Sequence, residues 1–408
     1  MTVSNTDVAI VGGGLSGGLI ALELTRRLPQ LDTRLIEGGN DLGGNHRWSW
    51  FATDLRSAES SLLDEFLHTQ WQSGYGVRFP EYERKLRSSY RSLASKDFAA
   101  TLHARLNQGS VRTGEEVVDI ARGRVELASG EAIAARAVID CRGLSQAPEL
   151  NGGWQVFLGQ TWRCDKPHGQ REPIIMDARV EQLGGYRFVY VLPLDDTRIF
   201  VEDTYYQDEP NLDVSLLRAR LNEYVATHGW GGMVEDEETG MLPVITGGDF
   251  AAFQNAHRIP GIAIAGARGG FVHPLTSYTL PFAARTASLV ANIALEGKLE
   301  TIPERLEREA RQHWRDTAFY RLLGQMLFGA ADPGERYRIF QRFYRLRQPL
   351  IERFYAGRST FADKGRILAG RPPVPIFKAI GALASRRPPL SAGNHVPPPG
   401  PHSERKAA

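Results

Sequence analysis

The 408 residues contain only two cysteines, Cys141 and Cys164. They lie apart in strand-like stretches with no C-x-x-C spacing, which argues against a disulfide framework or a zinc site and fits a reducing compartment. No metal site is expected. The first ten residues, MTVSNTDVAI, carry no Lys or Arg, so the charged n-region of a secretory leader is not expected. Long apolar runs are lacking too. The most apolar uncharged stretch, Val8 to Leu22, is broken by five glycines and falls short of the roughly 18 residues of a membrane span. A buried strand running into a glycine turn accounts for it. Internal repeats are absent.

What is present suits a globular chain. Hydrophobic residues make up 42% and charged residues 24%, enough for two domain cores or one large α/β unit with a cap. Net charge is only +2, but residues 301–390 hold 18 Lys and Arg against 8 Asp and Glu. A basic C-terminal third on an acidic body points to contact with an anionic surface. No nucleic-acid motif accompanies the basic region, so nucleic acid is not an expected partner.

Asp7 to Val11 reads as an apolar strand, GGGLSGG as a turn, LIALELTRRL as a helix, and TRLIE, ending at Glu37, as the next strand. This is a β-turn-α-β unit of nucleotide-binding size. A second helix is expected near Ser95, read as its N-cap, and the strand AARAVIDCRG ends at Gly143. From Trp154 to Thr204 the pattern changes to long alternating strands, the last two flanking the polar loop at Asp195 and Asp196 as a hairpin. GIAIAGA, residues 261–267, returns to the first domain, and from Pro303 the chain reads as helical.

The expected fold is therefore α/β: a Rossmann-like FAD-binding domain with an inserted antiparallel β-sheet substrate domain and C-terminal helices. The first comprises residues 1–75, 92–150 and 245–300; the second, residues 76–91 and 151–244. A helical cap spans 301–385, and a Pro-rich tail, 386–408, is expected to be disordered.

Gly12, Gly14 and Gly17, with Leu15 and Ser16 between them, fit G-x-G-x-x-G between a strand and a helix. Gly12 permits the tight turn, Gly14 lets backbone approach a pyrophosphate, and Gly17 allows close helix–strand packing. Glu37 lies about twenty residues further on, where a carboxylate can accept bonds from ribose hydroxyls. Gly43, Gly44 and Asn45 extend the glycine pattern as in many FAD proteins. The late segment Gly266, Ala267, Arg268, Gly269 and Gly270 is a second glycine-rich return to the cofactor. Arg268 either balances pyrophosphate or flavin charge or is a surface arginine.

GGNHRWSW (43–50), RFVYVLPL (187–194), FVEDT (200–204), GARGGFVHPLTSYTLP (266–281), RFYAG (353–357) and GRPPVP (370–375) together resemble the bacterial lycopene β-cyclases, in the same order and over almost the whole chain to about residue 385. The resemblance implies FAD in its reduced form, NAD(P)H as reductant, and a carotene substrate: lycopene, then monocyclic intermediates. It implies an isomerase, an intramolecular lyase, with no net redox change. The terminal C1=C2 bond is protonated, C5=C6 attacks the tertiary cation to close a six-membered ring, and C6 loses a proton. It also implies an essential acid at the position of Glu202.

An unactivated alkene is a poor base, so the step needs a strong acid in a dry pocket and negative potential where the cation develops. Strand alternation puts Phe200, Glu202 and Thr204 on one face and Ile199, Val201 and Asp203 on the other. A carboxyl beside Phe200 loses solvation and holds its proton at neutral pH; the alternative is a strand-end carboxylate in water. Asp203 is the rival acid and Asp177 a weaker one. His46 and His273 lie in cofactor-proximal motifs and either contact flavin or bond to loop backbone.

A hydrocarbon substrate requires a membrane. The C-terminal segments intersperse Arg305, Arg308, Arg311, Arg315, Arg321 and Arg342 with Trp314, Phe319, Tyr320, Leu327, Phe328, Phe340 and Phe343. They read as basic helices with aromatic anchors on anionic lipid, as a roof over the substrate cavity, or as both. The expected location is cytoplasmic, peripheral on the inner face of the membrane. The competing reading is a flavin-dependent monooxygenase, desaturase or reductase acting on an isoprenoid. A third is a non-catalytic carotenoid-binding protein, against which the glycine turn and Glu37 argue.

Overall fold

The computed structural model describes residues 3–144, 146–370 and 376–391. The motif GRPPVP beyond Gly370 and the tail from 392 lie outside the described residues. The first layer is a parallel sheet centred on strand Val3–Val11, flanked by Thr33–Ile36 and Ala132–Asp140. Ile10 stands opposite both Leu35 and Ile139, and Val8, Ala9 and Ile10 are fully buried. That is why the stretch reads as continuous apolar sequence rather than as alternation. Strand Ala263–Ile264 adds in parallel to Ala132–Asp140, so the late segment does return to this sheet. Helix Leu15–Arg27 packs against helix Leu280–Leu295 on one face.

The second layer is a large, mainly antiparallel sheet. Strand Ala147–Cys164 lies between Arg198–Gln207 and Gly232–Gly248; Tyr186–Pro193 and Ile174–Asp177 follow, then the hairpin Tyr75–Phe79 and Tyr82–Leu86. The chain folds as the α/β architecture expected, but three features are additional. Gly232–Gly248 is a full-length strand with no alternation to reveal it. Arg47–Phe51, Thr69–Trp71 and Tyr90–Ala94 form a small separate sheet. Residues Pro389–Leu390, counted into the disordered tail by composition, pair with the start of Ala147–Cys164 and bury Leu390. Ser95 is also not a cap: the helix is Ser95–Arg105, Ala94 precedes it, and the Ser95 hydroxyl accepts the backbone N–H of His46 at 3.3 Å.

The two faces of the large sheet differ in chemistry. One face, with Leu158, Val189, Val201 and Tyr205, packs against helix Val214–Thr227. On this face Asp203 is fully buried. Arg187 grips it with two bonds of 2.8 and 3.1 Å, and the Tyr205 hydroxyl donates a third at 2.9 Å. The opposite face carries Phe188, Phe200 and Tyr206 and lies under helices Ala318–Ala330, Tyr337–Phe343 and Gln348–Tyr355.

Removing one partner of a buried ion pair strands the other charge. Asp203→Ala is therefore expected to destabilise the fold by about 3–5 kcal/mol, read as a lower denaturant midpoint. A midpoint equal to wild type would contradict the assignment of Asp203 to this structural pair.

Candidate functional site

A cleft of about 590 Å³ opens at the C-terminal ends of the parallel strands, where open α/β sheets bind ligands. Gly12 holds φ at +103°, and a Cβ there would lie 2.8 Å from the backbone of Cys141 and Arg142. At Gly17 a Cβ would fall 2.0 Å from the Gly12 carbonyl oxygen, whereas at Gly14 it would meet nothing within 4 Å. The first and third glycines thus serve packing, and the middle one leaves backbone open to the cleft. Helix Leu15–Arg27 starts there with no side-chain cap and no acid in its first turn. Its free N–H groups and positive dipole end suit a pyrophosphate.

Glu37 receives the backbone N–H groups of Gly13 and Gly39 at 2.6 and 2.8 Å. These bonds fix its carboxylate at the cleft wall, with acceptor capacity left for a ribose. Leu15, Ser16, Gly44, His46, Gly266 and Ala267 also line the cleft. The donor set and the open glycine backbone therefore fit an FAD-sized dinucleotide.

Three expected cofactor residues stand elsewhere. Arg268 turns away from the cleft, donating to Asp140 at 3.3 Å and lining a side pocket with Gln254 and Glu307. Gly270 packs against Phe250. Asn45 reaches the carbonyl of Glu237 at 2.6 Å. The arginine at the cleft is Arg142, held by Asp140 through bonds of 2.8 and 3.0 Å. Its place just past the strand Ala132–Asp140 was the available signal, since that strand ends at the ligand-binding edge.

The cleft's far end contains His46, Trp48 and Thr279, and two chain segments link it to the large sheet. Arg47 follows His46, and its guanidinium lies 5.1 Å from the centre of the Phe200 ring. Tyr278 precedes Thr279, and its hydroxyl lies 3.4 Å from those of both Tyr90 and Tyr190. The loop holding Tyr278 is strained: Ser277 has φ +57°, and its hydroxyl bonds the Pro243 carbonyl at 2.8 Å. Such strain persists where surrounding structure over-determines the backbone and is common at functional sites.

Glu202 sits between these segments, directly across the sheet from Tyr190. Thr204, two residues along on the same face, donates to its carboxyl at 2.7 Å. Burial raises the Glu202 carboxyl to about 7, while the Thr204 bond and the Arg47 charge oppose the rise. The result is a carboxyl that keeps a proton near neutrality among tyrosine rings. Asp203, the rival acid, is corrected: strand alternation sends it to the opposite face and into the Arg187 pair. Asp177 is likewise held by Arg179 and by the Tyr224 hydroxyl.

Of the two histidines, His46 borders the cleft with its side chain exposed. His273 is fully buried against Tyr320 and Phe354, accepts the N–H of Thr276 at 3.3 Å, and is pushed down to about 3 by burial. It is a neutral core residue. Glu238, which sequence reasoning passed over, is buried two strands away from Glu202, across Ala147–Cys164.

A second cavity, about 130 Å³ and almost wholly apolar, lies among the C-terminal helices, lined by Leu275, Met326, Phe343, Phe354, Tyr355 and Leu368 with others. Tyr355, on the wall of this cavity, lies 6.1 Å from the Tyr278 ring at a tilt of 38°. The C-terminal aromatics expected to anchor in lipid mostly face inward: Tyr320, Leu327 and Phe328 are buried, and Arg321 stacks 3.5 Å over Trp314. They complete the core under the sheet instead. Among the described residues, the exposed large apolar side chains of this region are Phe361, Leu368, Phe377, Ile380 and Leu383, with Leu322 at the margin. No helix among the described residues is long and apolar enough to cross a membrane.

Comparison with known proteins agrees with this geometry. Solved structures similar in fold include p-nitrophenol 4-monooxygenase from Pseudomonas putida (TM-score 0.58, 16% identity, 90% of this chain and 97% of that one). A geranylgeranyl bacteriochlorophyll reductase-like protein from Thermoplasma acidophilum gives a TM-score of 0.53 at 13% identity over 94% and 97%. The flavin-dependent brominase Bmp2 gives 0.56 at 14% over 87% and 94%. At such identities they establish the Rossmann-like flavoprotein fold alone. In sequence, lycopene beta-cyclase of Pseudescherichia vulneris is 43% identical over 94% of this chain and 98% of its own length. That of Pantoea ananas is 39% identical over 92% and 97%. The family model described as lycopene cyclase protein matches residues 7–380, and the chain belongs to the lycopene cyclase family.

Proposed function

We propose that this chain is a lycopene β-cyclase acting on the ψ-ends of lycopene by way of a monocyclic carotene, and that Glu202 is its acid. The observation that carries the reading is a half-buried carboxyl, raised to about 7 by burial, directly across the sheet from Tyr190, whose hydroxyl meets that of Tyr278. The Glu202 carboxyl gives its proton to C2 of the substrate. The faces of Tyr90, Tyr190 and Tyr278 stabilise the cation that moves from C1 to C5, roughly 0.5–2 kcal/mol for each well-placed ring. The Glu202 carboxylate then takes the proton from C6, so atoms and charge balance and no electrons are transferred. When bound, a reduced anionic FAD supplies negative potential beside the developing cation.

Anaerobic incubation with lycopene, FAD and either dithionite or NADPH is expected to give ring-closed product of unchanged mass. Glu202→Gln is expected to lower turnover by at least about a hundredfold with FAD still bound. The acid form is the active one, so wild-type turnover should persist below the folded value of about 7 and fall as pH rises through it. Oxygen insertion or a two-electron mass change would move the chain to the flavin oxidoreductases.

The hydrocarbon runs from Glu202 into the apolar cavity. Met326→Trp, which fills that cavity from its wall, is expected to abolish turnover of lycopene while leaving the flavin spectrum unchanged. Normal turnover in this variant would exclude the cavity as the substrate channel.

Access is from an anionic membrane face, to which the protein attaches peripherally. The exposed side chains Phe361 (91%), Phe377 (73%) and Ile380 (64%) lie on helices that also carry Lys364, Arg366 and Lys378, the combination that binds anionic lipid interfaces. Phe377→Ser with Ile380→Ser should weaken flotation with acidic-lipid vesicles at least about tenfold. Equal flotation would assign attachment elsewhere.

A further inference from the structure

The cyclase reading leaves Glu238 unused, although it is a carboxylate only 8% exposed, on the same face of the sheet as Glu202. Its position follows from register. Gly159, in the strand between, stands opposite Glu202 on one side and opposite Glu238 on the other. Residues directly opposite one another share a face, so both carboxyls rise from the same surface with a glycine between them. A Cβ at Gly159 would lie 2.5 Å from the Phe200 ring and 3.3 Å from Cγ of Glu238. The space a side chain would take is thus filled by an apolar ring, and little water separates the two acids.

We propose that Glu238 is a positioning residue for the catalytic proton: Glu202 and Glu238 hold one proton between them, balanced by the single guanidinium of Arg47, and this sharing keeps Glu202 in its acid form. The charge inventory supports it. Arg47 acts on both carboxyls, and burial together with the Glu202 charge pushes the Glu238 carboxyl well above its usual range. Two carboxylates facing one cation in a desolvated site retain one proton, as like charges in low dielectric cannot both ionise.

The other titratable groups near the pair are Tyr90 and Tyr190 on the Glu202 side and His46, Lys96, Asp236 and Glu237 on the Glu238 side, while Asp97 and Arg198 act on Arg47. Asp203 acts through the sheet from the opposite face. The tyrosines are held protonated by burial. On the outer side, a pocket of about 20 Å³ between Glu238, His46, Lys96 and Asp236 has room for one water, a route by which the shared proton exchanges with solvent.

The proposal rests on the cyclase reading for its purpose but not for its test. The infrared carbonyl band of protonated carboxyl is titrated in the FAD-loaded protein without lycopene, and the pH dependence of lycopene turnover is measured in parallel. Glu238→Gln removes the like charge and should lower both midpoints by at least about one pH unit, a tenfold change in the acid–base ratio. Its turnover at low pH should be retained. Glu238→Asp keeps the charge and should keep the wild-type midpoint. Arg47→Gln removes the cation and should move the midpoint upward, which preserves the test if Glu238→Gln does not fold. A carbonyl midpoint that neither Glu238→Gln nor Arg47→Gln moves overturns the proposal, as does a loss of turnover equal at every pH. If wild type makes no cyclic product while the carbonyl midpoint shifts as expected, the shared proton stands and the assigned reaction fails.

Discussion

The proposed chemistry at this site depends on keeping one carboxyl protonated at a pH where carboxyls in water have lost their protons. Desolvation supplies the force: burial is the largest influence on Glu202, exceeding the Thr204 hydrogen bond and the Arg47 charge that work against it. The same dryness strengthens any field acting on a developing cation and excludes water that would trap it. An alkene offers no lone pair to protonate, so acid strength and water exclusion must come together in one place.

The architecture delivers this by giving a single sheet two different faces. On one, Asp203 is neutralised by Arg187 and Tyr205 and serves the fold. On the other, one residue earlier in the chain, Glu202 stands opposite Tyr190, whose hydroxyl meets that of Tyr278. Adjacent acids meet opposite surroundings because the side-chain period of a strand is two. The C-terminal helices close the active face with aromatic side chains and leave an apolar cavity among them. The strained turn at Ser277 places Tyr278 between the cofactor cleft and the sheet.

Several elements escaped sequence reasoning for identifiable reasons. Gly232–Gly248 reads GMVEDEETGMLPVITGG; its glycines and acids have low strand propensity, and only pairing with Ala147–Cys164 makes it a strand. Glu238 was hidden with it. The C-terminal arginines and aromatics follow the pattern of a lipid-facing helix equally well when the aromatics turn inward, as Tyr320 and Phe328 do. Periodicity identifies that a helix has two sides, not which side meets the protein. Arg268 and Arg142 both follow strands of the parallel sheet, and only packing of the late loop decided which of them faces the cleft.

The sequence by itself determined the local features whose physics is local: the glycine turn between strand and helix, the acid that ends the second strand, the alternation that separates Glu202 from Asp203, and a pattern of motifs specific enough to indicate the family. Tertiary structure alone decided which distant segments meet. Arg47, Tyr190, Glu202 and Glu238 come from four strands, and their shared desolvation exists only once register aligns those strands and the helices cover them. A carboxyl's proton affinity is a property of its surroundings, and those surroundings are assembled by long-range pairing that no local pattern encodes.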